Sequence, residues 1–108
     1  MMTALPLFEI IYPPIIQQHL KFIEPKFYAL IRESLEQQLQ FQPDGETKNR
    51  KPLKRTVVFG AKWEVRFGPD NRFRAFYRIE YDTKEVVLLA VGEKIGSRLF
   101  IGGEEIEI

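Results

Sequence analysis

Ten of the sixteen lysines and arginines in this 108-residue chain fall between Lys48 and Arg78, where only Glu64 and Asp70 oppose them. Residues 48–78 therefore carry ten basic against two acidic side chains, net +8. Residues 1–47 carry three against six, net −3, and residues 79–108 three against seven, net −4. A formal charge of +1 conceals a dipolar molecule. Such a cluster suits one chemistry above others, the holding of anions. A focused positive field concentrates anionic partners and raises their on-rate, and polyphosphate is the commonest of them. Charge runs also serve as solvated faces, so the cluster alone gives a preference for nucleic acid and no more.

Other chemistries are excluded by what the chain lacks. It has no cysteine, which removes disulfides, thiolate metal sites and a cysteine nucleophile. Its one histidine, His19, cannot build a multi-histidine metal site and leaves little room for a serine–histidine triad. We expect no metal and no cofactor. No stretch approaches the ~18 apolar residues of a membrane span, and the N-terminus lacks a basic segment followed by a long apolar run. The expectation is a cytoplasmic chain with no membrane contact, one domain over residues 1–108. Apolar residues make up 44% of it, with nine Phe, four Tyr and one Trp, enough for a real core.

The elements that would position the basic residues follow from periodicity. Leu7 to Tyr12 reads as a strand stopped by Pro13-Pro14. Pro14 opens a helix ending near Glu24. Pro25 re-aims the chain into a second helix running to about Gln40, with Phe27, Ile31, Leu35 and Leu39 on one face beside Leu30. Arg32, Glu33, Glu36 and Gln37 take its wet side. Pro43-Asp44-Gly45 ends the helical region. Lys48, Arg50, Lys51, Lys54 and Arg55 then form a basic loop.

From Lys62 the period changes to two. Trp63, Val65 and Phe67 alternate with Lys62, Glu64 and Arg66. A turn at Gly68-Pro69-Asp70-Asn71 leads to Phe73, Ala75, Tyr77 and Ile79 alternating with Arg72, Arg74, Phe76 and Arg78, an antiparallel hairpin. Val86 to Val91 reads as a central strand covered on both faces. Gly92 to Gly96 reads as a loop, Leu99 to Ile101 as a last short strand, and the glutamates after Gly102-Gly103 as a tail that folds back or stays solvated. The expected architecture is α+β in two layers, with two N-terminal helices on one face of an antiparallel sheet of three to five strands. The helices should cover Trp63, Val65, Phe67, Phe73, Ala75 and Tyr77. The other face should then display Lys62, Arg66, Arg72, Arg74 and Arg78 with Phe76 among them.

Several runs carry a resemblance. Thr47-Lys48-Asn49-Arg50-Lys51-Pro52-Leu53, Trp63-Glu64-Val65-Arg66, Arg74-Ala75-Phe76-Tyr77, Val87-Leu88-Leu89-Ala90-Val91-Gly92 and Phe100-Ile101-Gly102-Gly103-Glu104-Glu105 together resemble the RelE/ParE toxin superfamily over nearly the whole chain. The resemblance implies a RelE-like domain, the toxin half of a type II toxin–antitoxin pair, in a hetero-oligomer with a cognate antitoxin that occludes its working face. It implies two possible actions. RelE-like members enter the ribosome and cut messenger RNA without a metal, whereas ParE-like members share the fold and bind DNA gyrase. Lys62, Arg66, Arg74 and Lys94 stand where RelE-type enzymes carry basic site residues. Glu64 stands where a second strand lysine is frequent, and Phe100 where a C-terminal tyrosine often takes part in catalysis.

Metal-free RNA cleavage asks a 2′-hydroxyl to lose its proton, the pentavalent phosphate's charge to be stabilised and the leaving 5′-oxygen to be protonated. Arg66 and Arg74 suit the second task, since guanidinium forks match phosphate oxygens. Lys62 or Lys94 suits proton transfer if neighbouring cations lower its pKa. Glu64 is a base or a counter-ion to Arg74, with the counter-ion reading preferred. Arg72, Phe76, Arg78 and the basic loop are candidate RNA or antitoxin contacts. Trp63 and Tyr77 read as core residues, and His19 as a surface or packing residue.

Overall fold

A computed structural model describes residues 7–54 and 59–107. Along the chain these form β1 (Glu9–Ile11), α1 (Pro14–Leu20), a 3-10 turn (Pro25–Phe27), α2 (Tyr28–Leu39), β2 (Arg50–Pro52) and β3 (Trp63–Phe67). A second 3-10 turn (Pro69–Asn71), β4 (Phe73–Glu80), β5 (Glu85–Ile95), β6 (Arg98–Ile101) and β7 (Glu104–Ile106) follow. The class is α+β, as expected. The strand count is not: among the described residues seven strands form one sheet, in the order β2-β3-β4-β5-β6-β7, with β1 also paired to β5.

The length of β5 explains this layout. Its first residues pair in parallel with β1, Glu9 opposite Glu85 through Ile11 opposite Val87. Its last pair antiparallel with β6, Gly92 opposite Ile101 through Ile95 opposite Arg98. Gly92 to Ile95, expected as loop, is therefore strand, and the turn falls at Gly96 with φ +64. β7, expected as a tail, returns along β6 through Gly102 and Gly103, both at positive φ. At the other edge Arg50–Pro52 lies against Trp63–Val65 instead of forming loop.

The helices cover the face that the alternation assigned to them. Pro14 opens α1, which ends at Leu20, four residues before the expected end, while Ile23 still reaches the core. Ile31, Leu35 and Leu39 of α2 are buried, and Arg32, Glu33 and Gln37 are exposed. They pack with Val65, Phe67, Phe73, Ala75, Tyr77, Val86, Leu88 and Val91. Tyr77 donates its hydroxyl to the Pro43 carbonyl at 2.6 Å, and the Trp63 ring stacks on it with centroids 6.3 Å apart. Tyr77 is fully buried in the core, as read, and Trp63 is half-buried against it. The β4–β5 register shifts between Phe76 and Tyr77, where β5 carries one extra residue, Leu89, so that Val86, Leu88 and Val91 all face the helices.

The other face has a core of its own. Ala61, Phe76, Ala90, Leu99 and Ile101 are buried together, with Leu53, Leu89 and Ile106 packed against them. The consecutive apolar residues of β5 serve both sides, so covering on two faces holds.

Candidate nucleic-acid interface

Strand register brings three of the candidate residues together. Arg66 lies opposite Arg74, and Glu64 opposite Phe76, on the face away from α1 and α2. Two arginines directly across a strand pair repel, and Glu64 answers that repulsion. Its Oε1 accepts from Arg66 Nε at 2.9 Å and lies 3.7 Å from Arg74 Nη1. Glu64 is only 2% exposed. This geometry is that of a counter-ion shared by two guanidiniums. The Arg74 side chain is 13% exposed and its Nε has no hydrogen-bond partner among the described residues. Burial first, then the neighbouring Arg66, lowers the Arg74 pKa, while Glu64 raises it. The cluster is a cationic site with donor capacity left over. It can accept an anion with an exposed oxygen, and Arg66 is its more open half.

Two lysines flank the cluster. Lys51 pairs with Glu64 across β2 and β3, which puts it on the same face, exposed. Lys62 precedes Trp63, is exposed, and by alternation joins that face. Lys94 stands two residues beyond Gly92, the register partner of Arg74, and is exposed one row along. The side chain at Gly92 is absent for a reason: a Cβ there would lie 2.8 Å from both Ile101 Cγ1 and the Phe100 carbonyl.

Three expectations, for Arg72, Phe76 and Arg50, are corrected. Arg72 follows a 3-10 turn with helical φ and ψ, so its side chain leaves the strand alternation. Its guanidinium lies 4.6 Å from the Phe27 centroid and pairs with Glu93 at 2.5 Å, on the helix side. Phe76 is completely buried and cannot stack on a base without movement. Arg50 is buried too. It donates to the carbonyls of Gln38 and Gly45, capping the C-terminal end of α2, where the helix dipole favours a cation. Arg78 is on the expected face but is paired with Glu80. Lys48 and Lys54 are exposed, and Arg55 lies outside the described residues. Phe100 pairs with Glu93 and lines a hollow with His19 and Phe22, away from the arginine pair.

His19 proves more specific than a generic packing residue. It is buried, and its Nδ1 accepts the Val91 N–H at 3.2 Å. That amide lies on the edge of β5 between the stretches paired to β1 and β6. Nothing in the sequence pattern marks this role, because it depends on a gap between two pairings distant in sequence.

No family model matches the chain, and no curated protein matches it. Among solved structures it is similar to a chain of the toxin–antitoxin complex RelBE2 from Mycobacterium tuberculosis, with a TM-score of 0.61 and 22% identity. The match covers 82% of this chain and 99% of that one. The two N-terminal helices on one side of a sheet that is antiparallel but for the β1–β5 pair, where an all-antiparallel sheet was expected, are therefore a RelE-like fold.

Proposed function

We propose that this chain is the toxin of a type II toxin–antitoxin pair and that it blocks translation by metal-independent cleavage of messenger RNA on the ribosome. The observation that carries the reading is the Arg66–Arg74 pair, in register on the helix-free face of a RelE-like fold and tied by one carboxylate. The similar structure is itself a toxin–antitoxin complex, which supports a cognate antitoxin as partner. In the reaction the 2′-oxygen attacks phosphorus, the bond to the 5′-oxygen breaks, and a proton passes from the first oxygen to the second. Arg66 and Arg74 take the charge that grows on the non-bridging oxygens. Glu64 holds Arg66 in place as counter-ion. Lys62, and Lys94 one row away, serve the proton transfers, and Lys48, Lys51, Lys54 and Arg55 contact RNA phosphates.

Two observations favour a second reading, a ParE-like toxin that binds a protein target such as gyrase: Arg74 is largely covered and Phe100 faces away from the arginine pair. Two assays on the purified chain separate the readings. Arrest of cell-free translation with gyrase supercoiling unaffected is the expected result. Arrested supercoiling with translation intact establishes the second reading instead.

A further inference from the structure

The hollow beside Phe100 takes no part in the phosphate chemistry. His19, Phe22, Glu93 and Phe100 line it, together with Gly102 and Gly103. It lies on the helix side of the sheet, since Glu93 is the register partner of Phe73, a residue of the core under the helices. Its volume is about 140 Å³, and an apolar cavity of about 150 Å³ takes up one benzene ring. One six-membered ring fits, and a fused pair does not.

Two glycines shape the opening. Gly102 and Gly103 both stand at positive φ, and a Cβ on Gly102 would come within 3.3 Å of His19 Cδ2. One on Gly103 would strike the Phe22 ring at 2.6 Å, so that ring lies directly on the backbone.

Two polar side chains in the wall are more than nine-tenths buried, His19 at 5% exposure and Glu93 at 8%. His19 Nδ1 accepts the Val91 N–H, so the neutral ring carries its proton on Nε2. Nε2 is turned toward Gly102, which leaves its N–H as a donor at the hollow. Glu93 gives Oε2 to Arg72 Nε at 2.5 Å. A carboxylate has about four acceptor positions, so capacity to accept remains. Aromatic rings with a donor and an acceptor beside them are the set that reads an unstacked base, by stacking on its face and bonding to its edge.

We propose that this hollow binds a single pyrimidine base. The Phe22 and Phe100 rings stack on it, its carbonyl accepts from His19 Nε2–H, and its ring or amino N–H donates to the Glu93 carboxylate. A purine is one ring too large. The base comes from a free nucleoside or from single-stranded RNA, and the inference stands on the hollow alone, independent of the arginine pair.

His19 is the only histidine, so its imidazole proton signals stand alone in an NMR spectrum. The test follows them while the full chain is titrated with uridine, cytidine and adenosine, then with short oligouridylate and oligoadenylate. In the expected result, uridine or cytidine moves the signals saturably, and adenosine binds about tenfold more weakly or not at all. Tighter binding of oligouridylate than of uridine assigns the base to RNA, and equal binding assigns it to the nucleoside. The Phe22 ring is 63% exposed, so its replacement spares the core. Phe22→Ala should weaken pyrimidine binding about tenfold, while Phe22→Tyr, which keeps a ring, retains it. His19 signals that no pyrimidine moves, that adenosine moves equally, or that respond undiminished in Phe22→Ala overturn the site. Oligonucleotide binding, read by fluorescence anisotropy, that leaves those signals unmoved overturns it too and spares the arginine reading.

Discussion

At the scale of single residues, burial sorts side chains that the sequence presents as equals. Arg66, Arg72, Arg74 and Arg78 look alike in the alternating pattern, and Arg50 stands in the basic run before it. Only Arg66 and Arg74 share one carboxylate on the helix-free face. Arg50 caps a helix and Arg72 lies over Phe27. Alternation made the Arg66–Arg74 pairing legible, since strand residues two apart share a face. The departure of Arg72 was not legible, because it depends on turn geometry and on Glu93, twenty-one residues away. Glu64 supplies the first prediction. Glu64→Gln leaves two facing guanidiniums with no counter-charge. It should lower stability by about 2 kcal/mol, between the values for exposed and buried pairs, because Arg66 can rehydrate. Urea denaturation measures the loss. If Glu64 is a counter-ion and not the base, the variant still cuts ribosome-bound message within about tenfold of wild type at a temperature where it is folded. A loss of a hundredfold or more would mark it as a proton-transfer group.

At the scale of elements, the long strands and α2 were legible and the short strands were not. Alternation over Trp63–Phe67 and Phe73–Ile79, and the stripe of Ile31, Leu35 and Leu39, are each long enough to define a period. β2 and β7 are three residues each and densely charged. They are strands because β3 and β6 offer edges to pair with. Close approach of β5 and β6 at Gly92 gives a second prediction. Gly92→Ala forces a methyl against the Phe100 carbonyl, which cannot rotate aside. The cost should be about 2 kcal/mol, with faster amide exchange in β6; unchanged exchange there would mean the sheet adapts. The β5 edge gives a third. Burial holds the His19 imidazole below its ordinary 6.5, and only the neutral ring can accept the Val91 N–H. Between those two pKa values the unfolded chain binds more protons than the folded one. This contribution to stability is complete above the unfolded value and is lost as pH falls below about 6.5. The urea midpoint should fall on acidification from pH 7 to 5.5, and His19→Gln, which keeps an acceptor, should flatten that dependence.

For the whole molecule, the organising feature is a sheet with one side under helices and part of the other under Leu53 and Ala61. The first half of that statement follows from hydrophobic pattern. The second does not, because Leu53 and Ala61 carry no periodic signal and meet Phe76 only in three dimensions. Charge asymmetry was plain from composition, and the fold delivers part of it to one surface: Lys51, Lys62, Arg66 and Arg74 gather there, with Lys94 a row away, while Arg50 and Arg72 are spent on the helical layer. Two arginines, each removing roughly 3 kcal/mol of barrier as a preorganised donor, would give the surface its catalytic force. The direct measurement is a map of new 5′ ends on a defined message, with translating ribosomes and purified chain. The account predicts cuts at codon-related positions that disappear, by a factor of a thousand or more, in a folded Arg66→Ala/Arg74→Ala double variant. Equal cutting by that variant would contradict it, as would an intact message in the presence of the wild-type chain.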